Sequence, residues 1–394
     1  MPKLIRKRGK DTYQLIVSAG YDEMGKQRTV TKTVHAKNMR EAKHELVLLK
    51  AEIQKHGSSY LDTPTVAEFA ALWLDNYCRK ELSPKTIQSY TNHLEKRIVP
   101  LLGKFQIGKL KPMDVINFIN HLQRDGKRFD GKSGNISNQA VRYCARTLSS
   151  MLQCAVRWGI IESNPAKGVA RIKVKRKKIK LPDENGIAKM LEALHNEPLK
   201  YRVIIMLAID SGMRRGEIMA LQWPEVNLDK GLVRVCRNNI AIPGKGIITK
   251  APKNDSSNRI VNLSQTTINL LDTYKRWQES QKELLANQWV DDGKQWVFTQ
   301  WNGKPMFPET PSHWFRNFLK RHDLQPMPFH GLRHLTATIL IAQHTPLKNV
   351  SSRLGHTDIR TTANIYSDAL QSVDKLADNQ MDQFFTDMTK KEEK

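Results

Sequence analysis

Residues 171–182 read RIKVKRKKIKLP, and Arg171, Lys173, Lys175, Arg176, Lys177, Lys178 and Lys180 make most of that stretch basic. So dense a run of like charge repels itself and resists burial. It therefore divides the chain, and each side must fold around a core of its own. At 394 residues the usual domain size predicts two or three such units, and 39% apolar residues let each bury a core. Between globular segments the run suits an extended strap crossing a phosphate backbone, with the flanking domains gripping opposite faces of a duplex. A bare solvated linker and a localisation signal are the competing readings.

The whole chain carries 64 Lys+Arg against 39 Asp+Glu, a formal charge of +25. That excess points to a polyanionic partner, nucleic acid ahead of an anionic membrane. No apolar run approaches the ~18 residues that span a bilayer; VIIMLAI at 203–209 suits a buried helix. MPKLIRKRGK at the N-terminus lacks the apolar core of a signal peptide. Cys78, Cys144, Cys154 and Cys236 show no metal-ligand spacing, which predicts buried thiols in a reducing cytoplasm rather than a disulfide or zinc framework.

Residues 1–62 predict a small basic sheet and one helix. Tyr13, Leu15 and Val17 alternate with polar residues, Val30 and Val34 do so more loosely, and Asp22–Lys26 with Gly25 reads as the hairpin turn. Asn38 is placed to cap a helix that Gly57 stops. Arg6, Lys7, Arg8, Lys26, Arg28 and Lys32 are candidate DNA contacts, since a basic sheet suits the major groove; a solvated face is the alternative.

Residues 63–170 predict helices. Val66, Phe69, Ala70, Leu72, Trp73 and Tyr77 form an apolar stripe, and Ser83-Pro84 reads as an N-cap followed by a proline in the first turn. LKPMDVINFINHLQRDG is a third helix. In a fourth, Val141, Leu148, Leu152, Ala155 and Trp158 face a core. Lys85, Arg142 and Arg146 are candidate phosphate contacts, as are Lys175, Arg176, Lys177 and Lys178 of the strap.

Residues 183–394 hold the chemistry-bearing stretches. YRVIIMLAIDSGMRRGEIMALQW predicts two helices broken at Ser211-Gly212, with Arg214 at the junction, where free backbone N–H groups also favour phosphate. Glu217 shares its helical face and is placed to orient it. GLVRVCRN, NIAIPGKGIITKAPKN and NRIVNLS predict one three-stranded antiparallel sheet, with Lys253 at the turn between the last two. His330 and Arg333 share a face if a helix starts at His330. His330 and His334 also have the spacing of a metal pair, but no third ligand lies nearby and the adjacent Arg333 opposes a cation. Gly355 ends a short helix just before His356, and Tyr366 follows on another.

Taken in order, SGMRRGE, Lys253, HGLRH and LGHTDIRTTANIY resemble the boxes of the tyrosine recombinases, the integrases of phages and transposons. The likeness covers roughly residues 64–390, and no position of the set is substituted. It implies a multidomain, mainly α protein. An arm-type DNA-binding domain of sheet plus helix would occupy 1–62, and a helical core-binding domain 63–170. A basic linker would follow at 171–182, then an α+β catalytic domain with a small antiparallel sheet at 183–394. It implies that Tyr366 attacks a DNA phosphate, forming a 3′-phosphotyrosyl bond and freeing a 5′-hydroxyl. Arg214 and Arg333 would clamp the phosphate oxygens, and Lys253 would protonate the departing oxygen. His330 would manage the nucleophile's proton, and His356 would hydrogen-bond the phosphate. No metal, ATP or other cofactor is implied. The implied partners are double-stranded DNA at core-type and arm-type sites, three further copies in a homo-tetramer, an excisionase and a host DNA-bending protein, in a bacterial cytoplasm. A resolvase-type recombinase, a type IB-like topoisomerase and a DNA-binding regulator without catalysis are the alternatives.

Overall fold

The computed structural model describes residues 4–21, 27–56, 63–131, 133–174, 179–250, 258–360 and 362–363. Two compact units divide the chain, Met1–Arg176 and Lys177–Lys394.

The first unit opens with an antiparallel sheet in the order β1 (Ile5–Lys7), β2 (Thr12–Tyr21), β3 (Gln27–His35), followed by α1 (Met39–His56). Alternation puts Tyr13, Leu15, Val17 and Val34 on one face, where they pack on Ala42, Leu46 and Leu49 of α1. Asn38 caps α1 as expected: its Oδ1 accepts from the Glu41 amide at 2.9 Å, and the Lys37 amide donates to Glu41 Oε2 at 2.7 Å. The expected turn at 22–26 and the stop at Gly57 lie outside the described residues. The register divides the basic candidates between the two faces. Arg6 stands opposite Gln14 on the open face, whereas Lys7 pairs with Tyr13 and Lys32 with Leu15, on the face that α1 covers. All three side chains are exposed.

A separate apolar cluster holds the helical segment together. Thr65 and Glu68 form a reciprocal capping box at the start of α2 (Val66–Trp73). Val66, Phe69, Ala70 and Trp73 are buried, but Leu72 is 47% exposed. At about 100° per residue it points away from the stripe that Trp73 completes. Ser83 caps α3 (Pro84–His93) with proline in its first turn. Next come α4 (Pro112–Asp125) and α5 (Asn138–Arg157), whose Val141, Leu148, Leu152 and Ala155 are buried. Trp158 does not join them. The helix ends one residue earlier, so Trp158 leaves its register, 41% exposed and edge-on to Phe69 at 5.6 Å. The chain then folds back: the Asn164 amide donates to the Ser149 carbonyl at 3.0 Å, and Val169 and Ile172 pack on the same cluster. The start of the basic run thus lies on the helical core, and 175–178 lie outside the described residues.

The second unit has one large core. In order come α6 (Glu184–His195), α7 (Leu199–Ser211), the single turn α8 (Arg215–Ile218), five short strands, α9 (Gln265–Leu285), α10 (Thr310–Arg321), α11 (His330–Ala342) and α12 (Leu347–Leu354). The three stretches expected to pair as one sheet do not. β5 (Leu232–Val235) is flanked on both sides, by β4 (Val226–Asn227) and β8 (Arg259–Asn262), so its ladders are filled. β6 (Asn238–Ile242) and β7 (Gly246–Lys250) form a separate hairpin. Cys78, Cys144 and Cys154 are buried free thiols; Cys236 is only half-buried and donates to the Glu225 carboxylate. Among the described residues no helix is long and apolar enough to cross a membrane.

Candidate active site

Two helix ends and two helix starts of the second unit converge. The helix α7 ends at Gly212, in the left-handed region at φ +63°. Its carbonyl accepts from Nη1 of Arg333 at 2.6 Å. A Cβ at this glycine would sit 2.4 Å from Leu354 and 3.2 Å from Thr336. Gly212→Ala is therefore expected to cost roughly 2–4 kcal/mol, strain and overpacking together, and to displace the carbonyl that steadies Arg333. Thermal unfolding and DNA cleavage measure both, and an unchanged melting temperature would refute the crowding.

Arg214 is the N-cap of α8. Its amide donates to Glu217 Oε2 at 2.9 Å, its Nη1 to Glu217 Oε1 at 2.8 Å, and its Nη2 to the Gly355 carbonyl at 3.1 Å. Gly355 ends α12 in the left-handed region, φ +67°. The first and third motifs are thus joined by a hydrogen bond, the first and second by the Gly212–Arg333 bond. Glu217 orients Arg214 as its spacing suggested, and it has a second cation. Arg259 Nη2 lies 2.8 Å from Oε2. Burial alone would raise the Glu217 carboxyl; Arg259 first, then Arg214, hold it below the usual carboxylate range.

Arg333 is 3% exposed, and its Nη2 has no hydrogen-bond partner among the described residues. Burial, then Arg214 and Arg259, lower the guanidinium to about 9 despite the pull of Glu217. A buried cation whose donor is unmet among the described residues, beside a second arginine, has the chemistry to receive an oxyanion.

His330 opens α11 and keeps solvent access, with its ring edge-on to that of His334 at 5.0 Å. His356 follows Gly355, and its Nδ1 lies 2.9 Å from the Thr362 hydroxyl. Desolvation and the neighbouring positive charges lower both His330 and His356 to about 4. Each ring therefore stays neutral in the folded protein down to about pH 4, while an unfolded chain protonates it near 6.5. In that window the unfolded state binds more protons, so the rings contribute stability that is complete above pH 6.5 and lost on acidification. The melting temperature of the protein should fall more steeply from about pH 6.5 to 4 than that of a His330→Gln/His356→Gln variant. Equal slopes would remove these rings from the account.

The described residues include no cluster of three His, Cys, Asp or Glu side chains arranged to hold a metal ion. Lys253 and Tyr366 lie outside the described residues, as do Lys26, Lys175, Arg176, Lys177 and Lys178. Arg28 falls on β3. Lys85, at the start of α3, and Arg142 and Arg146, on α5, are exposed. Arg8 is exposed and donates to Gln14 at 3.0 and 2.7 Å.

Two arginines escaped the reading of the sequence. Arg259 opens β8, and its Nε donates to the Arg353 carbonyl at 2.7 Å. Arg353 in turn donates to the Asp210 carbonyl at 2.8 Å and to the Asn262 carbonyl at 2.8 Å. The available signal was phase: Arg259 lies two residues before buried Val261 and so shares its face, whereas Ile260 between them is 65% exposed.

The model of the phage integrase family matches residues 181–372, and that of the phage integrase N-terminal SAM-like domain matches 65–123. The ICEBs1 integrase of Bacillus subtilis is 26% identical over 362 residues, covering 92% of this chain and 94% of its own. A XerC-like tyrosine recombinase of Caldanaerobacter subterraneus is 27% identical over 386 residues, 92% of this chain and 93% of its own. Among solved structures, the Tn1549 transposon integrase in complex with transposon right end DNA superposes with a TM-score of 0.64 at 18% identity, covering 79% of this chain and 99% of that one. A lambda integrase tetramer bound to a Holliday junction gives 0.56 at 18% identity, over 92% and 95%.

Proposed function

The chain belongs to the phage integrase family, the tyrosine recombinases, and from that membership we propose that it recombines DNA site-specifically, integrating and excising a mobile element. The phenol oxygen of Tyr366 attacks the scissile phosphorus as the bond to the 5′ oxygen breaks. A 3′-phosphotyrosyl bond forms and a 5′-hydroxyl leaves. His330 takes up the phenol proton, and Lys253 supplies one to the departing oxygen. Arg214, Arg333 and His356 hold the phosphate oxygens as charge builds on them. The reverse attack by a 5′-hydroxyl of another strand rejoins the DNA, so the phosphodiester energy is conserved without ATP or metal.

The observation that carries this reading is buried Arg333 beside Arg214, with an Nη2 that has no hydrogen-bond partner among the described residues. A regulator that only gripped DNA would gain nothing from burying a cation at such cost. The sheet and helix of residues 1–62 act as the arm-type DNA-binding domain, through Arg6, Lys7, Arg8, Lys26, Arg28 and Lys32. The helical segment 63–170 grips core-type sites through Lys85, Arg142 and Arg146, and Lys175, Arg176, Lys177 and Lys178 cross the backbone. Four copies assemble on two duplex sites, with an excisionase and a host DNA-bending protein as accessory partners, in the bacterial cytoplasm. A nicked suicide duplex tests the chemistry. A covalent protein–DNA adduct is expected without ATP and in excess chelator, and loss of the adduct on chelation would overturn the metal-free mechanism.

A further inference from the structure

The hydrogen bonds around Arg214 close into a ring. Arg214 reaches Glu217 and the Gly355 carbonyl; Arg259 reaches Glu217 and the Arg353 carbonyl, two residues before Gly355. Glu217 and Arg259 are both buried, with side chains 6% and 7% exposed, while Arg214 keeps 39%. Only one of the two cations on this carboxylate is open to a bound phosphate. We propose that Arg259 is a positioning residue for strand cleavage, setting Arg214 through the carboxylate they share and through the last turn of α12, while itself shielded from DNA. Its role rests on the strand-cleavage chemistry above.

Charge explains why two cations are needed. A carboxylate paired with Arg214 alone would spend the charge of Arg214 at the moment the phosphate requires it. With Arg259 sharing Glu217, three guanidinium groups (Arg214, Arg259 and Arg333) surround one carboxylate, and net positive charge remains toward the phosphate. Geometry points the same way. Arg259 ties β8 to α12, and Arg353 ties α12 to both Asp210 of α7 and Asn262 of β8. The Gly355 carbonyl is thereby fixed relative to the start of α8.

Single-turnover cleavage of the suicide duplex by the full chain tests this, with Tyr366→Phe as the control for the chemistry. For Arg259→Gln, core-duplex affinity is expected to stay within about threefold, and the cleavage rate to fall about 30–100-fold, as for a misplaced catalytic group. An acid limb absent from the native chain should also appear, because buried Glu217 would have lost its principal cation, and burial would then push its carboxyl up until it took up a proton. Arg214 and Arg333 are the other charges that face it, and His330 and His356 lie beyond them. A Glu217→Gln/Arg259→Gln double variant should lack that limb; a limb due to the histidines would persist in it and overturn the proposal. Arg259→Lys keeps the charge but not both hydrogen bonds, so its rate should fall by about tenfold with no acid limb. That variant decides the matter if the glutamine variant does not fold, since a wild-type rate from it would refute positioning. A glutamine variant slowed equally at every pH would do the same, leaving the cleavage chemistry standing. A native chain without a Tyr366-dependent adduct would overturn both.

Discussion

Tyr366→Phe is expected to reduce the covalent adduct on a suicide duplex to background, a loss of roughly 10⁴-fold or more in cleavage. The substitution removes one oxygen and almost no volume. Duplex affinity should therefore be unchanged, because it rests on many phosphate contacts and a formal charge of +25. The effect is large because a covalent route has no partial form: either an oxygen bonds to phosphorus or the strand stays intact. Labelled duplex on a denaturing gel reads the result. An adduct that persists in the phenylalanine variant would move the nucleophile to another side chain.

Arg333→Met should be nearly as damaging to cleavage and much kinder to the fold. Removing a guanidinium from a phosphoryl-transfer transition state costs about 10³–10⁵ in rate. In the DNA-free protein, however, this side chain is buried beside Arg214 and Arg259, and its charge is disfavoured enough to lower it to about 9. Its hydrogen bond to Gly212 is one modest gain against that desolvation. A methionine of similar length fills the space without charge. The melting temperature is thus expected to remain at or above that of the native chain while cleavage collapses, the signature of a group kept for catalysis and not for stability. A drop of several degrees without DNA would show instead that Arg333 holds the unit together.

Much of this was written in local sequence. The break at Ser211-Gly212, the start of α11 at His330 and the stop at Gly355 follow from helix grammar, and all three were found where they were expected. Arg214, Glu217, Arg333 and His356 then fall together because those breaks aim them. Sheet pairing was not legible. Three strands of similar character do not say which partner fills the edge of β5, and β8 took the place that β6 was expected to share. Trp158 and Leu72 show the limit of counting apolar residues: one lies a single residue past the end of its helix, the other about 100° off its stripe. Arg259 was missed because its role depends on Glu217, some 42 positions away in the chain, and spacing rules do not reach that far.

The backbone carbonyls that receive Arg214 and Arg333 belong to the final turns of α12 and α7. No exchange of a neighbouring side chain can delete an oxygen of the main chain. What can remove either acceptor is fraying, when a terminal turn unwinds and its glycine leaves the left-handed region. Each arm of the anion receptor would then swing loose with the helix end that holds it. The competence of the site is in this sense a melting property, graded by how tightly two short stretches stay wound.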